Sequence, residues 1–106
     1  MDIEERLEIE KRIVAALKTV HDPEIPVNVF DLGLIYEVDV DDDQVAHVKM
    51  TLTAPNCPMA DQLLEEVRYK VGGVKGVAEC DLKLTFDPPW DRSMLSDEAM
   101  LELGFL

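Results

Sequence analysis

Cysteine is scarce in this chain: Cys57 and Cys80 are the only two in 106 residues. Two thiols do not make a disulfide framework, so burial must hold the fold together. Histidine is as scarce, with only His21 and His47, and no CxxC or HxxxH spacing occurs. That excludes a complete zinc or iron–sulfur site within one chain, since each needs about four such ligands. Positive charge is short too: 10 Lys and Arg face 23 Asp and Glu, a net charge of −13. A field of that sign repels phosphate backbones and speaks against nucleic-acid binding. It suits solubility, a basic partner or a cation. No stretch approaches the roughly 20 apolar residues of a membrane helix, so no membrane association is expected. Met1-Asp2-Ile3-Glu4-Glu5-Arg6 has neither the basic start nor the apolar run of a secretory signal. A cytoplasmic protein with reduced thiols is expected. Gly72-Gly73-Val74-Lys75-Gly76 lacks the Walker pattern and reads as a helix-to-strand turn.

What is present is a globular mix, 47% hydrophobic and 31% charged. The length suits one domain spanning 1–106, long enough to bury roughly two-thirds of its surface. Ile3, Leu7, Val14, Leu17 and Val20, with Ile13 beside them, predict a first amphipathic helix. It should stop near His21, because Pro23 disfavours helical angles at Asp22. The loop Asp22–Asp31 carries two prolines but also Ile25, Val27, Val29 and Phe30, so it should pack against the body of the protein.

Leu34 to Val40 alternates, with Leu34, Tyr36, Val38 and Val40 inward. After the turn Asp41-Asp42-Asp43 a second strand puts Ala46, Val48, Met50 and Leu52 inward and His47, Lys49 and Thr51 outward; the two form a hairpin. Met59, Leu63, Leu64, Val67 and Val71 predict a second helix, closed by Gly72-Gly73. A third strand runs from Val77 to Phe86, where Cys80 reads as a small buried hydrophobe. Ser96 caps a short last helix ended by Gly104. The order predicts a two-layer α+β fold, an α-β-β-α-β domain with a small mixed sheet and a short C-terminal helix.

One segment carries chemistry. Thr51-Leu52-Thr53-Ala54-Pro55-Asn56-Cys57-Pro58 sets a lone cysteine between two prolines, where a strand ends and a helix begins. Pro58 suits the first helical position. Cys57 then falls at the N-cap, where the helix dipole favours thiolate, the form that ligates metal or attacks an electrophile. Asn56 tolerates the unusual backbone angles of the turn before it. Cys57 is therefore expected to be the more reactive of the two thiols.

The remaining candidates have plainer readings. His47 reads as an exposed strand residue and His21 as a cap of the first helix; neither is joined to Cys57 by a motif. Asp22 and Asp31 read as braces of their loop. Trp90, between Pro89 and Asp91, reads as closing the core or lidding a pocket. The Asp22–Asp31 loop and Trp90 are expected to flank Cys57 in one recognition surface. The start of the first strand and the end of the second are read here as lying at opposite ends, so the loop must fold back along the sheet.

Three segments together resemble a known family. Asp22-Pro23-Glu24-Ile25-Pro26-Val27-Asn28 leading into Asp31-Leu32-Gly33-Leu34-Ile35-Tyr36 resembles the opening signature of the SufT/PaaD-like iron–sulfur assembly family. The segment around Cys57 resembles its cysteine signature. Phe86-Asp87-Pro88-Pro89-Trp90 with Met94, Ser96 and Leu103-Gly104 is similar to its closing one. The resemblance implies a domain like the C-terminal domain of NifU-type scaffolds and a non-enzymatic role in maturing iron–sulfur proteins. It places the functional cysteine at Cys57 and the family's loop at Asp22, Pro23 and Glu24. Asn56 stands where the family usually has glycine, and it can adopt the same left-handed geometry. Absence of a cysteine-bearing C-terminal extension points to the general assembly branch.

The expectation is thus an accessory factor for cluster assembly or transfer to apoproteins. Cys57 would be a transient iron ligand and any cluster labile and shared between chains. Partners would be scaffold or carrier proteins and apoprotein clients, with a homodimer as a further form. Two other classes stay open: an adaptor that never touches metal, and a small cysteine-dependent enzyme.

Overall fold

A computed structural model describes residues 1–22, 25–53 and 60–104. Helix α1 spans Ile3–Leu17, strand β1 Ile35–Val40, strand β2 Val45–Met50, helix α2 Ala60–Gly72 and strand β3 Glu79–Leu84. A 3-10 turn at Arg92–Met94 leads into helix α3, Asp97–Glu102. This is the predicted α+β order.

Helix α1 starts because Asp2 accepts a bond from the Glu5 N–H at 2.8 Å, with Glu4 and Glu5 in the positive first turn. It ends at Leu17, earlier than the sequence suggests. The chain there tightens: Thr19 and Val20 N–H groups donate to the Ala16 and Leu17 carbonyls, three residues back. That drops Val20 into the core. His21 is consequently no helix cap; it bridges antiparallel to Asn28. The buried stripe of α1 is Ile9, Ile13 and Leu17. Ile3 and Leu7, expected inward, are 74% and 51% exposed, because the first turns of the helix overhang the core.

The sheet has the order β1-β2-β3, with β1 antiparallel and β3 parallel to β2. Helix α1 packs on β1 and α2 on β3, and the two helices touch each other. Ala46, Val48 and Met50 of the central strand are buried in the shared core, which the apolar loop joins through Val27, Val29 and Leu32. Pairing slips between Ile35 and Glu37. This bulge at Tyr36 lets Ile35 sit opposite Met50, on the side the plain alternation assigns to Tyr36. Strand β3 is shorter than predicted, and Cys80 on it is half-buried rather than enclosed. Ser96 caps α3 by accepting the Ala99 N–H at 3.1 Å.

Candidate functional site

Antiparallel pairing places the start of β1 beside the end of β2. Ile35 lies opposite Met50, and the Thr51 N–H donates to the Leu34 carbonyl at 2.8 Å. The expectation of opposite ends is therefore corrected: the loop leaves directly next to Thr51–Thr53 without folding back. Thr51 itself is fully buried, against the outward reading, and its Oγ1 has no hydrogen-bond partner among the described residues. It lies beyond the last paired residue of β2, where strand alternation no longer decides exposure.

Asp22 and Asp31 both brace the loop. The Asp22 carboxylate, 5% exposed, accepts the Ile25 N–H at 3.1 Å. Asp31 and Asn28 bond twice: the Asn28 amide donates to Asp31 Oδ2 at 2.7 Å, and the Asp31 N–H donates to Asn28 Oδ1 at 2.9 Å. This Asx geometry turns the chain toward β1.

The closing segment is stitched onto the same stretch. The Trp90 indole N–H donates to the Leu32 carbonyl at 2.6 Å, and the Ser96 N–H to the Asp31 carbonyl at 2.9 Å. The Tyr36 hydroxyl donates to the Pro88 carbonyl at 2.7 Å. Gly33 has φ +81°, and a Cβ there would lie 2.2 Å from the Met94 carbonyl oxygen. Two of the three signature segments thus form one seam at the end of the sheet where β2 exits. Pro23, Glu24, Asn56, Cys57 and Pro58 lie outside the described residues. Among the described residues no three of His, Cys, Asp and Glu are grouped to hold a metal ion. The Cys80 thiol has its pKa raised, chiefly by burial, so little of it is thiolate.

Sequence reasoning missed a second polar cluster. His47, on the open face of the sheet, is held from both sides, with Nε2 2.8 Å from Asp41 and Nδ1 3.0 Å from Asp81. One partner comes from the hairpin turn and the other from β3, so no local spacing announces it. The bonds to Asp41 and then Asp81 raise the His47 pKa, and the bond to His47 is the main cause lowering that of Asp41. A raised histidine stabilises fully below about pH 6.5 and loses that contribution as pH climbs through the folded-state value. The Asp41 contribution is present above about pH 4 and is lost as pH falls through its lowered value. The melting temperature of wild type should therefore exceed that of His47→Gln by more at about pH 6 than at about pH 9. A gap that does not change with pH would show that the histidine charge contributes nothing.

Comparison with known proteins decides what these segments belong to. The family model described as iron–sulfur cluster assembly protein matches residues 10–82. The chain belongs to this family. A Fe-S protein maturation auxiliary factor of Porphyromonas gingivalis is 62% identical over 102 residues, covering 96% of this chain and 97% of that protein. The Fe-S protein maturation auxiliary factor SufT of Staphylococcus aureus is 36% identical over 83 residues, 78% of this chain and 94% of its own. A crystal structure of a domain of unknown function from Bacillus anthracis matches with a TM-score of 0.90 at 32% identity, covering 99% of this chain and 100% of that one. The resemblance drawn from the three segments is borne out, and so is the α+β fold. No helix among the described residues of this family member is long and apolar enough to cross a membrane.

Proposed function

We propose that this protein is an accessory factor in iron–sulfur cluster assembly, acting as a single domain over 1–106 that helps clusters reach apoproteins. The observation that carries this is the 62% identity, over nearly the full length of both chains, to a maturation auxiliary factor. It works without catalysis, in the cytoplasm, between scaffold or carrier proteins and apoprotein clients. Cys57 is its ligand to the cargo. A thiolate is the form that binds iron, and one thiolate per chain holds it weakly enough to pass on. The remaining ligands come from a second chain, a partner or free thiol. Support comes from the seam: the loop that carries Asp22 and Asp31, the Trp90 segment and the exit of β2 toward Cys57 share one end of the sheet. These flanks are suited to present Cys57 to a partner, with Pro23, Glu24, Asn56 and Pro58 shaping the surface.

Anaerobic reconstitution of wild type and Cys57→Ser, followed by transfer to an apoprotein, tests this. Wild type should take up iron and sulfide that a chelator removes, and should pass them on; the variant should fall to background in both. A variant that transfers as well as wild type would identify an adaptor that never touches metal. A chelator-resistant cluster on a strict monomer would contradict weak, shared ligation.

A further inference from the structure

Among the described residues β3 is an outer strand of the sheet, bonded to β2 along one side only. Sheet edges in soluble proteins are blunted by prolines, bulges, inward charges or edge charges, lysine above all. β3 has no proline, bulge or inward charge: it pairs in unbroken register from Glu79 to Leu84. Its charges Glu79, Asp81 and Lys83 alternate onto the open face, where only like charges brought opposite each other would block pairing. Its helix-side row is left half-open, with Cys80 and Leu82 partly buried and Leu84 and Phe86 42% and 39% exposed. On the open face Asp81 and Lys83 alternate in sign. Asp81 Oδ2 is engaged by His47 at 3.0 Å, which leaves its second carboxylate oxygen to face outward charge, and no ion pair holds Lys83 among the described residues.

This pattern is complementary to itself in a single register. Directly opposed residues of an antiparallel pair share a face, so a two-fold axis must fall on one residue of each strand. Centred on Asp81, the pair sets Asp81 against the partner's Asp81. Centred on Lys83, it sets lysine against lysine. Centred on Leu82, it sets Asp81 against the partner's Lys83 twice, Leu82 against the partner's Leu82, and Cys80 against the partner's Leu84. Opposite charges then face each other on one side and apolar side chains close on the other, each a favourable cross-strand pair. We infer that β3 is a homodimerisation edge, on which two copies pair antiparallel about Leu82 to make one continuous sheet. The edge involves neither Cys57 nor the loop, so it stands or fails separately from the cargo-binding reading.

Sedimentation equilibrium and native mass spectrometry at physiological ionic strength test it, where repulsion between the two acidic chains is screened beyond about 8 Å. Wild type should dimerise. Lys83→Glu, which turns both ion pairs into repulsions, should raise the dissociation constant roughly tenfold. Lys11→Glu on α1 makes the same change in net charge and should leave it unaltered. In a Cys57→Ser background, Leu84→Cys should give a copper-phenanthroline cross-link joining Cys80 of one chain to position 84 of the other, identified in tryptic peptides. A wild type that stays monomeric up to about 100 μM, a dimer indifferent to Lys83→Glu, or the absence of that cross-link would each overturn the inference.

Discussion

Gly33→Ala is expected to destabilise the protein by about 3 kcal/mol, a large share of the stability of a domain this size. Two costs add. Gly33 has φ +81°, a left-handed conformation that costs an L-residue about 1–2 kcal/mol. The new methyl would also lie 2.2 Å from the carbonyl oxygen of Met94 and 2.8 Å from its carbonyl carbon and Cβ. The obstacle is backbone, and that backbone is pinned on both sides by the bonds of Trp90 and Ser96 to Leu32 and Asp31. It cannot swing aside as a side-chain tip would, which adds about 1–3 kcal/mol of overpacking. Gly104 separates the two costs: it has the same φ of +81° but no atom of the described residues within 4 Å of a built Cβ. Gly104→Ala should cost only about 1 kcal/mol. Urea unfolding of both variants decides it. Equal losses at the two sites would mean that the closing segment yields at Met94.

Trp90→Ala should cost about 3 kcal/mol, through lost packing and through the loss of the donor to the Leu32 carbonyl. Trp90→Phe keeps most of the ring packing and removes the N–H, so it should cost about 1 kcal/mol. The indole and Gly33 act on one seam, so their effects should not add. Once Trp90 is gone the segment at Met94 can relax, and the Gly33 methyl becomes cheaper to place. The double variant should then be less destabilised than the sum by about 1 kcal/mol. Full additivity in a denaturant series would show that the seam is two independent contacts.

Much of this fold was legible because its elements are periodic. The helix-side row Ala46, Val48, Met50 and the α2 stripe Leu63, Val67, Val71 are buried as the spacing requires. Caps were legible for a local reason: Ser96 and its partner Ala99 lie three residues apart. What escaped is what distant residues decide. The bulge at Tyr36 reverses which side Ile35 faces, and alternation cannot show a slip in pairing. Asp41 and Asp81 meet at His47 only once β3 has joined the sheet. Thr51 is buried beside Leu34, beyond the last paired residue of β2, and not by its place in an alternating pattern. The site was legible in a different way. Proline placement and dipole chemistry single out Cys57 as the candidate, which lies outside the described residues, and motif singles out Asp22, Asp31 and Trp90. The direction of one strand relative to its neighbour was enough to correct how those motifs approach each other.

The mixed sheet also fixes an order of assembly. β1 and β2 are joined by a short turn, so their pairing closes a small loop at little entropic cost, on a timescale of about microseconds. β3 runs parallel to β2 and can reach it only after the chain has crossed back through the whole of α2. The second half of the sheet is therefore the slow half. Contacts between β2 and β3, like the seam between the loop and the closing segment, join distant residues and raise the contact order, which slows folding. During synthesis the hairpin, with α1 already made, waits with one side of β2 open until residues 79–84 emerge. A pause or truncation before that point leaves the apolar row Ala46, Val48 and Met50 on an unpaired strand edge, where chains can associate.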